Sequence, residues 1–209
     1  MTRAKTMTEY KREMIRLPEP KHSSGTSIEE ALLKRQSVRD FKDKPVTLAE
    51  VSQLAWAAQG TSYRDDRRTV PSAGALYPIE LFVVAGNVSG LPAGIYRYSP
   101  KSHELLSIEK GDKRSNLCNA ALGQSSVKRA PAVLVLSGVY ERTITKYGDR
   151  GIRYVHMEAG HAAQNVCLQA IPMGLGTVVI GAFRDEDVKE ILRMADRERP
   201  LYVIPVGRR

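Results

Sequence analysis

The chain has 209 residues, enough for one compact domain that buries most of its apolar surface without covalent staples. Its 42% hydrophobic and 26% charged content excludes global disorder, and two cysteines, Cys118 and Cys167, exclude a disulfide scaffold or a four-cysteine zinc site. The formal charge of +9 is spread over short groups such as Lys34-Arg35, Arg67-Arg68 and Lys128-Arg129, with no aromatic-rich or zinc-finger pattern beside them. Charge therefore assigns no nucleic-acid partner. No apolar run approaches the roughly 20 residues of a membrane helix, and MTRAKTMTEYKREMIRLPEP is no signal peptide. A cytoplasmic protein without a membrane partner is expected.

Residues 1–25, with Pro18, Pro20, Ser23, Ser24 and Gly25, read as an extended arm, and 26–209 as the domain. Ser27 and Glu30 match a capping box, so a helix starts there and ends before Ser37. Thr47 and Glu50 form a second box, followed by the stripe Leu48, Val51, Leu54, Ala55 and Ala58, which Gly60 ends. A loop follows over 61–78, then a buried strand at 80–86 and a hairpin from GIYRYSP and HELLSIEKG. Asp112 is expected to cap a short helix reaching Leu122. PAVLVLSGV (131–139), apolar throughout, reads as a central strand.

The longest helix is expected over about 152–171, where Val155, Ala159, Ala162, Val166 and Ala170 make one stripe. Its small residues and the additional apolar Met157, Leu168 and Ile171 suit a domain centre or a subunit interface. A strand at 178–183, a helix at 186–194 and a strand at 201–207 complete the chain. The hairpin and the long helix-to-strand gaps point to an α+β fold, with helices around a mainly antiparallel or mixed sheet.

Arg35, Ser37 and Arg39 would point the same way in an extended segment, and two guanidiniums with a hydroxyl suit a phosphate. A basic helix end complementing the helix dipole accounts for the same residues. In PSAGALYP (71–78), Ser72, Ala73 and Gly74 would let a flat ligand lie against their backbone, although a plain turn needs the same composition. Gly174, Gly176 and Gly181 follow a helix and precede a strand, the reverse of a dinucleotide-binding fingerprint. His156 and His161 are five apart and do not share a helical face, so no metal site is expected. Without a metal or a catalytic triad, an enzyme of this composition needs an organic cofactor.

Taken in order, the Arg-x-Ser-x-Arg segment, PSAG, the small-residue helix and GLG…IGAF resemble the FMN-dependent nitroreductase family. TVPSAGALYP, ERTITKYGDRGIRYVHMEAGHAAQN and LYVIPVG look like its SagB-type dehydrogenase branch. The resemblance implies a nitroreductase-like α+β fold and an intertwined homodimer with FMN at the interface. It implies ping-pong electron transfer through FMN, with NAD(P)H as a possible donor. Arg35, Gln36, Ser37 and Arg39 would then hold the phosphate and neighbouring polar atoms, with Arg208 as a further contact. Ser72, Ala73 and Gly74 would lie along the ring from the partner subunit, and Gly181 and Ala182 near its redox-active edge. Lys146-Tyr147 stands where SagB-like azoline dehydrogenases carry a pair associated with proton removal as thiazoline or oxazoline becomes aromatic. A peptide azoline is thus an alternative substrate, and a non-catalytic flavin-binding protein an alternative role.

Overall fold

The computed structural model describes residues 13–62 and 67–209. The first part of the expected arm, 1–12, and the loop tip, 63–66, lie outside those residues.

Seven strands form one sheet: β1 (Met14–Arg16), β3 (Ile79–Ala85), β5 (Gly94–Ser99), β6 (Glu104–Lys110), β7 (Ala132–Val139), β8 (Leu175–Thr177) and β9 (Glu198–Arg208). Their order is β1-β6-β5-β3-β7-β9-β8, and every ladder is antiparallel. Two further strands, β2 (Val46–Thr47) and β4 (Val88–Ser89), make a short parallel pair. The helices are α1 (Ile28–Lys34), α2 (Leu48–Gln59), α3 (Arg114–Ala120), α4 (Ser125–Arg129), α5 (Glu141–Tyr147), α6 (Arg150–Ala170) and α7 (Asp185–Leu192).

Alternation along the central strands builds three layers. Leu81 and Val83 of β3 and Leu134 and Leu136 of β7 meet the stripe Val155, Ala159, Ala162 and Val166 of α6 and Leu54 and Ala58 of α2. Phe82, Val84, Val133 and Val135 meet Leu117 of α3, Val127 of α4 and Val188 and Leu192 of α7. A strand covered on both faces cannot alternate apolar with polar, which is why β7 reads as continuously apolar. The α6 stripe lies where the sequence puts it.

Both caps form at α1 and α2, but differently. Ser27 accepts from the Glu30 N–H without a reciprocal bond, whereas Thr47 and Glu50 close a complete box. Thr47→Ala should therefore destabilise the protein by about 1 kcal/mol, read as a lower denaturation midpoint at an unchanged m-value. An unshifted midpoint would assign α2 nucleation to packing alone.

Several expectations need correction. Part of the arm is strand β1, paired with β6, and Lys21 of the arm is tied to Gln53 of α2. Asp112 sits two residues before α3; it accepts from the Arg114 N–H and pairs with the Arg114 guanidinium instead of standing at the N-cap. The strand expected at 178–183 is displaced to Leu175–Thr177. Val178 and Ile180 are buried, and Ile180 makes a single bridge to Val203, so their apolar character reports burial and not a ladder. α5 lies in what reads as a connection, because Thr143, Ile144 and Thr145 give it weak intrinsic helicity. Packing supplies the stability: α6 approaches so closely at Gly151 that a Cβ there would sit 2.8 Å from the Ile144 nitrogen.

Ladder register fixes the two ends of the sheet. Ile79 faces Gly138 and Val139 faces Glu198, so the 72–78 turn and the β7–α5 junction share one end. Ala132 faces Val206, and Arg208 lies beyond it at the other. Along β7 these ends are roughly 24 Å apart.

Candidate active site

The chain follows α1 into an extended segment that runs along the free edge of β8. Ser37 bridges Thr177, Val38 donates to the Thr177 carbonyl at 2.9 Å, and Lys42 donates to the Arg208 carbonyl at 2.9 Å. The fit is close: a Cβ on Gly176 would lie 2.7 Å from Val38, and one on Gly207 2.8 Å from Phe41. This edge gathers Arg35, Gln36, Ser37 and Arg39 with Arg208. Arg35 is half-buried and near enough to Cys167 to oppose the rise that burial imposes on that thiol. Gln36, Ser37 and Arg39 are exposed. Among the described residues neither Arg35 nor Arg39 has a carboxylate partner.

Two guanidiniums free of ion pairs beside an exposed hydroxyl form a donor set that fits a phosphate. Arg208 differs, because its guanidinium pairs with Glu50 at 2.7 Å and donates to the Met173 carbonyl. From this edge, residues 177–181 run beside β9 toward Tyr202. A Cβ on Gly181 would meet only Tyr202, at 3.9 Å, so the surface over exposed Gly181 and Ala182 is open to a flat group.

Gly181 borders a cleft of about 540 Å³ together with Tyr140, His156 and Phe183. Tyr140 Oη and His156 Nε2 are 2.6 Å apart, and burial raises the Tyr140 phenol.

The second cluster stands at the opposite end of the sheet. The 72–77 turn is closed by the Tyr77 N–H donating to Ser72 Oγ at 2.9 Å. Gly74 adopts φ +62°, and a Cβ there would lie 2.8 Å from Tyr147 Oη and 3.0 Å from Lys146 Nζ. The expected ring-facing turn and the Lys146-Tyr147 pair are thus adjacent. Lys146 Nζ sits 5.5 Å from the Tyr147 ring centroid, and that ring packs edge-on against Tyr154 at 5.2 Å.

Beneath the turn lies an ionic group that sequence reasoning missed. Arg142 of α5 donates to the Tyr77 carbonyl at 2.8 Å and pairs with Glu80, which also pairs with Arg97. Arg68 donates to Gln59 Oε1 and the Ile79 carbonyl and stacks 4.8 Å over the Tyr77 ring. Glu158 of α6 is only 2% exposed, and among the described residues its Oε1 has no hydrogen-bond partner. Burial pushes its carboxyl up to about 7, against the opposing pull of the Ser72 hydroxyl, Arg68 and Arg142. A signal was available: Glu158 is three residues after Val155 and four before Ala162, so it falls on the apolar stripe.

The nitroreductase family model matches residues 32–208. A protein named as a nitroreductase in Methanocaldococcus jannaschii is 47% identical over 182 residues, covering 87% of this chain and 91% of its own. The chain belongs to the nitroreductase family.

A solved structure from Ralstonia eutropha, also described as a nitroreductase, superposes with TM-score 0.81 at 32% identity, over 93% of this chain and 89% of its own. The microcin B17-processing protein McbC of Escherichia coli is 34% identical over 66% of this chain, which spans 53% of that relative. This nitroreductase-family protein is an enzyme, an FMN-dependent oxidoreductase. Among the described residues no helix is long and apolar enough to cross a membrane.

Proposed function

We propose that the two clusters are halves of one FMN site, completed across the interface of a homodimer, with NAD(P)H as the electron donor. One observation carries this reading: the phosphate-type donors and the Ser72–Gly74 turn lie at opposite ends of the sheet, too far apart for one mononucleotide within one chain. Exposed apolar side chains support an interface, with Ile28, Leu32 and Leu33 on α1 and Ile152 and Met157 on α6.

Arg35 and Arg39 would bind the phosphate through charge-assisted bonds, with the Ser37 hydroxyl and Gln36 amide as neutral partners. Arg208 would add positive potential from its place behind Glu50. Gly181 and Ala182 would border the ring, and the second subunit's copy of the 72–74 turn would cover it. FMN, when bound, supplies the two-electron carrier. Tyr140, paired with His156 beside Gly181, orients a hydroxyl toward the cleft, and closing of the two subunits over it would exclude water.

Purification should give a yellow dimer whose flavin is bleached by NADH or NADPH in stopped flow. Absence of flavin after reconstitution, or a monomer, would overturn the reading.

The contact of Gly74 with Lys146 and Tyr147 favours a second reading, an azoline dehydrogenase of the SagB type, and the likeness to McbC, named as a microcin-processing protein, supports a peptide as its substrate. The proton lost as a thiazoline or oxazoline becomes aromatic would pass to Lys146 or Tyr147. Lys146→Ala should keep FMN affinity and lower azoline oxidation at least tenfold. Intact azoline oxidation in that variant would remove Lys146 as the base.

A further inference from the structure

We propose that Arg142 is a positioning residue for this site: its guanidinium clamps the 72–77 turn onto α5, and that clamp holds Gly74 against Lys146 and Tyr147. The inference rests on the FMN site proposed above, where this turn covers the ring, but the bonds concerned lie within one chain.

The turn does not hold itself. Ala75 at φ +54° and Tyr77 at φ +46° are non-glycine residues in the left-handed region, alongside Gly74 at φ +62°. Such a conformation persists only where its surroundings fix it. Tyr77 is fixed at each of its polar groups. Its N–H donates to Ser72 Oγ at 2.9 Å, and its carbonyl accepts from Arg142 at 2.8 Å. Its hydroxyl accepts from the Arg68 N–H at 3.4 Å, and the Arg68 guanidinium stacks over its ring. Ser72 and Arg68 belong to the loop itself. Among the described residues, the Arg142 bond is the one that joins the turn to α5.

α5 gains from the same bond. Thr143, Ile144 and Thr145 give it weak intrinsic helicity, and its last turn carries Lys146. Arg142 and Lys146 are four residues apart and so share a helical face. The turn runs along that face. Its Tyr77 carbonyl is fastened at Arg142, and a Cβ on Gly74 would lie 3.0 Å from Lys146 Nζ and 2.8 Å from Tyr147 Oη.

The guanidinium is itself held at a fixed angle. One nitrogen takes the Tyr77 carbonyl, and the other meets Glu80 Oε1 of β3 at 2.5 Å. Glu80 Oε2 meets Arg97 of β5 at 3.2 Å, and Arg97 meets Glu198 Oε1 of β9 at 2.5 Å. Glu198 Oε2 then accepts the Ala195 N–H at 3.1 Å. Two arginines and two glutamates balance in charge, and none of these side chains is more than 34% exposed. A planar fork with one arm on a strand and one on the turn fixes a direction, which a lysine ammonium does not.

Hydrogen exchange of the 74–77 amides should quicken at least about tenfold in Arg142→Ala, the scale of a lost charged hydrogen bond, while β7 exchanges as in the wild type. Arg142→Lys should fall between, because it keeps a charge for Glu80 and gives up one arm of the fork. Methylguanidinium at non-denaturing concentration should restore slow exchange in Arg142→Ala and leave the wild type unchanged. In FMN-loaded protein, flavin reduction at saturating NADPH should fall and recover in the same pattern, with the apparent NADPH affinity unchanged. Unchanged exchange at 74–77, or a quickening that spreads through the sheet and resists methylguanidinium, would overturn the proposal. So would altered exchange with flavin reduction at the wild-type rate. If even the wild type binds no FMN while exchange shifts and is rescued, the FMN site fails and the clamp stands. If Arg142→Ala does not fold, Arg142→Lys carries the comparison.

Discussion

Replacing Arg35 by alanine should weaken FMN binding by about 1.5–3 kcal/mol, roughly 10- to 150-fold, the scale of a hydrogen bond to a charged group. Arg35 is the half-buried member of the donor set and, among the described residues, has no carboxylate partner to release, so its loss is not offset by freeing another group. Arg35→Lys should fall between, because it keeps the charge and loses the planar fork. Adding salt should narrow the gap at exposed Arg39 more than at Arg35, since screening acts mainly on exposed charge. Fluorescence titration of the apoprotein with FMN measures all three. Unchanged flavin retention in Arg35→Ala would take that residue out of the phosphate site.

Glu158→Gln is expected to stabilise the protein by up to about 3 kcal/mol at pH 8 and to make little difference at pH 4. The carboxyl is raised from 4.5 in the unfolded chain to about 7 in the folded protein, so the folded state binds the extra proton between those values. Wild-type stability therefore falls as pH rises through that window, and the full cost is present above about 7. Glutamine matches the shape and never ionises, which removes the cost. Attraction to Arg68 and Arg142 acts in the opposite sense and is the weaker influence. Denaturant titrations at the two pH values separate the outcomes: a variant less stable than wild type at pH 8 would mean that the ion attraction wins.

Much of the architecture was legible in the sequence because periodic burial is a local signal. The capping residues Ser27 and Thr47, the α2 and α6 stripes and the β3 and β7 runs each lie in the structure where pattern puts them. The misses share a cause. α5 has no stripe and weak propensity and exists because α6 presses on it at Gly151. Val178 and Ile180 are apolar through packing against α7 and the sheet, which pattern cannot distinguish from pairing.

The site divides in the same way. The order of Arg35-x-Ser37-x-Arg39, Ser72-Ala73-Gly74 and Gly181-Ala182 carried a family resemblance, and that resemblance implied the ligand and the residues to consider, since a basic helix end and a plain turn account for the same residue types taken singly. Only the tertiary structure decided how they are grouped. The tertiary structure sends Arg39 and Gly74 to opposite ends of one sheet, brings Gly74 against Lys146 and Tyr147, and ties Arg208 to Glu50. Spacing along a chain says nothing about such pairings, since the contacts arise from strands and helices folding together over long sequence separations.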